Sequence, residues 1–138
     1  MIKLILGHKG SGKTKRMVEL VNSAVESSKG NVVCVEKETK LTFDVNYRAR
    51  LIATDYYEVK GYSAFYGFLA GICAGDHDIT DILVDATLRI GGRDYKELAL
   101  FLEKVYELSQ VNEKEFTFTV SADKEELPES IFNFCQVL

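Results

Sequence analysis

Eight residues near the start of the chain carry the strongest chemical signal. Gly7-His8-Lys9-Gly10-Ser11-Gly12-Lys13-Thr14 fits G-x-x-x-x-G-K-[ST] at every fixed position. From average residue usage, a chance match in a chain this long arises on the order of once in two hundred. The glycines let the backbone turn tightly around an anion. Successive N–H groups then face inward as a nest, and a helix starting near Lys13 adds the positive end of its dipole. The Lys13 ammonium is placed to reach the β- and γ-phosphates of a nucleoside triphosphate, and the Thr14 hydroxyl to ligate Mg²⁺. His8 occupies a variable position of the pattern, where its backbone counts for more than its ring.

A magnesium site of this kind needs a second oxygen ligand from an acidic residue at the end of an apolar strand. Ile82-Leu83-Val84-Asp85 supplies one, and Asp85 is expected to hold the ion directly or through water. Four arginines, Arg48, Arg50, Arg89 and Arg93, are candidates for stabilising charge in a transition state. Arg89 and Arg93 follow Asp85 closely, in a segment that the Gly91-Gly92 pair is expected to keep flexible. His77 lies in a polar turn without a second His or Cys at ligand spacing, so it is read as exposed and not as a metal ligand.

The loop requires a strand before it and a helix after it. Residues 2–6 form an apolar, β-prone run, and residues 13–28 place Met17, Leu20, Val21, Ala24 and Val25 on one helical stripe. Further strands are read at 31–36, 50–54, 81–85, 116–120 and 135–138. Helices are read at 62–74 and 94–110, with a short one starting at Pro128. Leu41–Val45 reads as a short hairpin or an irregular loop. Of the aromatic tract from Tyr56 to Phe68, most is read as core, and the Tyr62–Tyr66 pair as a candidate exposed stacking surface. Alternation of strands and helices predicts an α/β fold: a three-layer sandwich with a mainly parallel central sheet, in a single domain spanning 1–138.

Composition narrows the function classes. The chain has 138 residues, 46% of them hydrophobic and 28% charged, which excludes wholesale disorder. Its net charge of −4 is a poor match to a nucleic-acid backbone, so no nucleic-acid partner is expected. No apolar run approaches the roughly 20 residues of a membrane span, nor the shorter core of a signal peptide. Cys34, Cys73 and Cys135 are odd in number and contain no C-x-x-C pair. They are read as small buried hydrophobes in a reducing, cytoplasmic compartment.

In these residues the chain resembles the P-loop NTPase superfamily, and within it the RecA-like (ASCE) branch. It is also similar to very short bacterial ATP-binding proteins of the kind sometimes labelled PilT-like. The resemblance implies the P-loop fold with sheet order 5-1-4-3-2, in which residues 116–120 are the inserted strand. It implies ATP and Mg²⁺ as ligands, Gly7 to Thr14 as the phosphate-binding residues, Thr14 and Asp85 as the metal ligands, and Lys13 as a catalytic group. Ser121 and Asp123 match the position of a γ-phosphate or water sensor. In many relatives a catalytic glutamate follows the strand-end aspartate, where this chain has Ala86. RecA-like enzymes place that glutamate at the end of the second strand, where Glu36 (or Glu38) stands, so Glu36 is the catalytic candidate.

The expected function is an Mg-ATP-binding protein with weak ATPase activity, working alone, with a protein partner or as a homo-oligomer. Two alternatives accompany it: a small-molecule, nucleoside-type kinase, and a non-catalytic nucleotide-gated switch or partner-binding subunit. Type II thymidine kinases share a similar opening, but have a glutamate after the aspartate and a zinc-binding C-terminal region.

Overall fold

The computed structural model describes residues 1–138. Strand β1 (Ile2–Leu6) leads through the glycine-rich loop into α1 (Lys13–Ser27) and then β2 (Asn31–Glu36). An irregular segment joins β2 to β3 (Arg50–Ala53). A short 3-10 turn and α2 (Gly61–Gly75) follow, then β4 (Ile79–Val84). Helices α3 (Thr87–Gly91) and α4 (Tyr95–Asn112) lead to β5 (Glu115–Val120), and two 3-10 turns lead to β6 (Cys135–Val137). No helix is long and apolar enough to cross a membrane.

All six strands are parallel, in the order β3-β2-β4-β5-β1-β6. This differs from the expected five-strand order 5-1-4-3-2. Residues 50–53 pair with β2 through Val33–Glu36 and extend the sheet by an edge strand. Strand β5 lies between β1 and β4. A parallel neighbour usually needs a helical crossover. Here residues 37–49 make the β2–β3 connection with turns alone, because Leu41, Val45 and Ala49 bury themselves against α1 in place of a helix. The hairpin considered for Leu41–Val45 does not form.

Side-chain alternation along the strands divides the interior into two cores. Val33, Val35, Ile82 and Val84 face one way, toward α2, α3 and α4. Val32, Cys34 and Leu83 face the other way, toward Met17 and Val21 of α1. The first core holds 25 buried residues and the second nine, so one face carries most of the packing and α1 alone, with the 37–49 segment, covers the other. Phe65, Phe101 and Phe118 meet at the centre of the larger core, with ring centroids 4.8 to 6.4 Å apart.

Two expectations are corrected here. Tyr62 is not exposed: its ring is buried against Phe101, and its hydroxyl donates to the Gly92 carbonyl at 2.7 Å. Residues 87–91, read as flexible loop, form α3, whose Leu88 and Ile90 enter the larger core. Gly91 packs directly on the Tyr62 ring, where a side chain has no room. The three cysteines are free and buried, as expected.

Candidate functional site

The carboxyl ends of parallel strands are where open α/β sheets bind ligands. In this protein the ends of β1, β2, β4 and β5 converge on a cleft of about 930 Å³. Of its 19 lining residues only Leu41, Ala86 and Leu88 are apolar, so the cleft is built for a polar ligand.

The glycine-rich loop forms one wall. Gly10 (φ +85°) and Gly12 (φ +88°) sit in the left-handed region, where a Cβ is strained although space is available. Gly12 caps the start of α1 without a side-chain hydrogen bond, which leaves the first N–H groups of the helix free to face a ligand. The loop is anchored from the segment after β5, since the Gly7 N–H donates to the Ala122 carbonyl at 3.1 Å. Its ring position is also engaged, contrary to expectation: His8 Nε2 lies 2.7 Å from Asp123 Oδ2. Asp123, a sensor candidate, thus faces His8 and does not line the cleft, whereas Ser121 does.

Lys13 and Thr14 open α1. Lys13 Nζ donates to the His8 carbonyl at 2.9 Å, folded back over the loop. Burial holds its pKa below the usual lysine value, partly opposed by the charge of Asp85. Thr14 Oγ1 donates to Asp85 Oδ2 at 3.0 Å, joining residues 71 apart in the chain. A hydroxyl and a carboxylate converging at the N-terminal end of a helix are hard oxygen donors, the set Mg²⁺ selects. On that donor chemistry, Thr14 and Asp85 fit the ion.

Asp85 is held by a second hydroxyl. Thr119 Oγ1 donates to Asp85 Oδ1 at 2.6 Å and accepts the Ala86 N–H at 2.9 Å. Thr119 was not singled out from the sequence. Its only trace there is the alternation Phe116-Thr-Phe-Thr-Val120, which puts both threonines on the face opposite the phenylalanines. Ala86 itself adopts φ +57°, an uncommon conformation for a residue with a side chain.

Glu36 ends β2 at the cleft floor. Only 3% of it is exposed, so it is not a solvated strand-end charge. Oε1 accepts the Lys40 N–H at 2.9 Å, while Oε2 is buried without a partner. Burial raises the pKa of this carboxyl, and Asp85 adds to the rise, against the backbone N–H groups of Lys40 and Leu41. Beneath it, the Cys34 thiol is pushed up to about 12 by burial and by the charges of Glu36 and Asp85, which leaves it inert.

Glu38 does not share the floor with Glu36. It forms an ion pair with Arg89 across the mouth of the cleft, and Lys40 Nζ stands 3.6 Å from the same oxygen. Of the other arginines, Arg93 lines the cleft, Arg48 pairs with Glu26 of α1 at 2.7 Å, and Arg50 begins the edge strand β3. No protein-family model matches the chain, and no curated protein does.

Proposed function

We propose that the protein is a P-loop nucleotide-binding protein that takes Mg-ATP in this cleft and hydrolyses it slowly. The observation that carries the reading is the junction of β1 and α1: left-handed Gly10 and Gly12, then Lys13, then a Thr14 hydroxyl 3.0 Å from Asp85. The backbone from Gly7 to Thr14, with His8, Lys9 and Ser11 at the variable positions, forms the phosphate cradle. Thr14 and Asp85 hold Mg²⁺, which neutralises phosphate charge when bound. Lys13 exchanges the His8 carbonyl for phosphate oxygens.

In hydrolysis a water oxygen forms a bond to the γ-phosphorus while the bond to the β,γ-bridging oxygen breaks, releasing ADP and inorganic phosphate. The water proton passes to the carboxylate of Glu36, which lines the cleft. Burial raises the affinity of that carboxyl for a proton, which favours the transfer. The three free, buried cysteines suit a cytoplasmic location.

A nucleotide-gated switch is the second reading. Ala86 favours it: no base follows Asp85, and the N–H there is committed to Thr119.

Thermal unfolding with and without Mg-ATP tests the proposal, because a ligand specific to the folded state stabilises it by about 2.7 kcal/mol at a hundred times its Kd. Lys13→Ala is expected to remove most of that shift while leaving the ligand-free melting temperature unchanged. A variant stabilised by Mg-ATP as strongly as the wild type would overturn the assignment.

A further inference from the structure

The cleft holds more positive charge than a phosphate chain seated on α1 requires. The whole chain carries a net charge of −4. Yet seven lysines and arginines line the cleft against three carboxylates. Three of the cations belong to the glycine-rich loop and the start of α1. The other four, Lys37, Lys40, Arg89 and Arg93, come from the segment after β2 and from α3 and the loop after it.

Their pairing locates the excess. Lys37 turns to Asp55, 3.0 Å away. Arg89 and Lys40 share one oxygen of Glu38. Arg93 makes no hydrogen bond or ion pair and is exposed. Glu38 reports what this position prefers: the Arg89 hydrogen bond, then Lys40, lowers the pKa of its carboxyl. The mouth of the cleft is thus a point where the fold already stabilises one negative charge, supplied by its own side chain.

We propose that this mouth is a second anion site, which binds a small phosphate-bearing molecule in place of the Glu38 carboxylate, between Arg89 and Lys40 and with Arg93 as a third partner. Phosphate is favoured over a monocarboxylate for a physical reason. A free carboxylate offers the two paired cations nothing that Glu38 does not, and Glu38 competes at the high effective concentration of a tethered group. A phosphate dianion presents three oxygens and gains Arg93 as well, in the geometry arginine forks bind best. The position of this site beside a nucleotide rests on the function proposed above; the existence of the site does not.

The test is titration of inorganic phosphate into the full chain, with and without saturating Mg²⁺ and a non-hydrolysable ATP analogue, followed by calorimetry. Phosphate is expected to bind with the analogue already in place. Arg93→Ala should weaken it about tenfold, the scale of one charge-assisted contact. Glu38→Gln should strengthen it by about the same factor, since the internal competitor is gone. Glu26→Gln, which removes the partner of Arg48 on α1, controls for net charge and should leave phosphate affinity unchanged. Phosphate that binds only when the analogue is absent would overturn the proposal, as would no binding at all or affinities indifferent to Arg93 and Glu38. If the analogue fails to bind while phosphate still responds to both substitutions, the second site stands and the nucleotide reading falls.

Discussion

The turn after β1 and the turn after β4 both start a helix beside the cleft with a left-handed residue that lacks a side-chain cap. After β1 that residue is Gly12, at φ +88° and ψ +16°. After β4 it is Ala86, at φ +57° and ψ +44°. Glycine meets the first requirement without steric cost. Alanine meets the second close to the left-handed minimum, at roughly 1 kcal/mol of strain. The β4 turn tolerates that strain because it is held from two sides: the Asp85 N–H donates to the Val35 carbonyl at 2.8 Å, and the Ala86 N–H donates to Thr119. The glycine turn leaves the first N–H groups of α1 open for a ligand, whereas the alanine turn spends its own on fixing Asp85. One turn receives and the other positions.

That division predicts where activity is lost first. If the β4 turn only positions Asp85, proton transfer must come from elsewhere, and Glu36→Gln should lower phosphate release by about 10²–10⁴-fold with ATP affinity nearly intact. Glutamine keeps an oxygen for the Lys40 N–H, so the fold should persist. The same variant has a signed effect on stability. The Glu36 carboxyl binds its proton more tightly in the folded chain, so its contribution is favourable at low pH and is lost as pH rises through the folded value. Glu36→Gln should therefore melt higher than wild type at pH 7–8, with the difference vanishing below the ordinary glutamate pKa of about 4.3. Unchanged turnover would shift the search to Glu38 or to a partner's residue.

Asp85→Asn separates positioning from receiving. Nucleotide affinity in the presence of Mg²⁺ should fall about tenfold, and metal-free affinity much less, when each is measured by titration. Equal losses would make Asp85 a structural tie between Thr14 and Thr119 and nothing more.

The smallest effects bear on the strain itself. Gly12→Ala should destabilise the chain by about 1 kcal/mol, because its φ lies beyond the minimum a side chain tolerates. Ala86→Gly should change stability by less than about 0.5 kcal/mol, since strain relief is offset by the greater entropy of an unfolded glycine. Denaturant unfolding of both variants measures the pair. An Ala86→Gly gain as large as the Gly12→Ala loss would mean that the two turns carry equal strain.

These turns also separate what could be read locally from what could not. The glycine-rich loop was legible because its requirements are local: three glycines, a lysine and a threonine within eight residues, between an apolar run and a helical stripe. Asp85 was legible as the acid ending an apolar strand. Thr119 was not, since a threonine in a strand carries no mark of pointing at a carboxylate 34 residues away. Residues 87–91 read as loop because five residues span too little sequence to show helical periodicity, and packing on Tyr62 and the larger core decides their state. Among the four arginines the sequence marked Arg89 and Arg93 only by their closeness to Asp85, and the fold puts these two on the cleft and sends Arg48 to Glu26.

By itself the sequence determined the strands and the longer helices, α3 excepted, and the glycine turn, because these follow from side-chain period and from the torsional freedom of single residues. Tertiary structure decided the rest. The strand order, with β3 as an added edge, depends on backbone hydrogen bonds between segments that no local pattern relates. The burial of Glu36, its unpaired oxygen and the shared Glu38 carboxylate depend on which loops the parallel sheet brings to one edge. A carboxylate in the sequence carries only its charge; its pKa and its partner are properties of the dielectric and the neighbours that folding supplies.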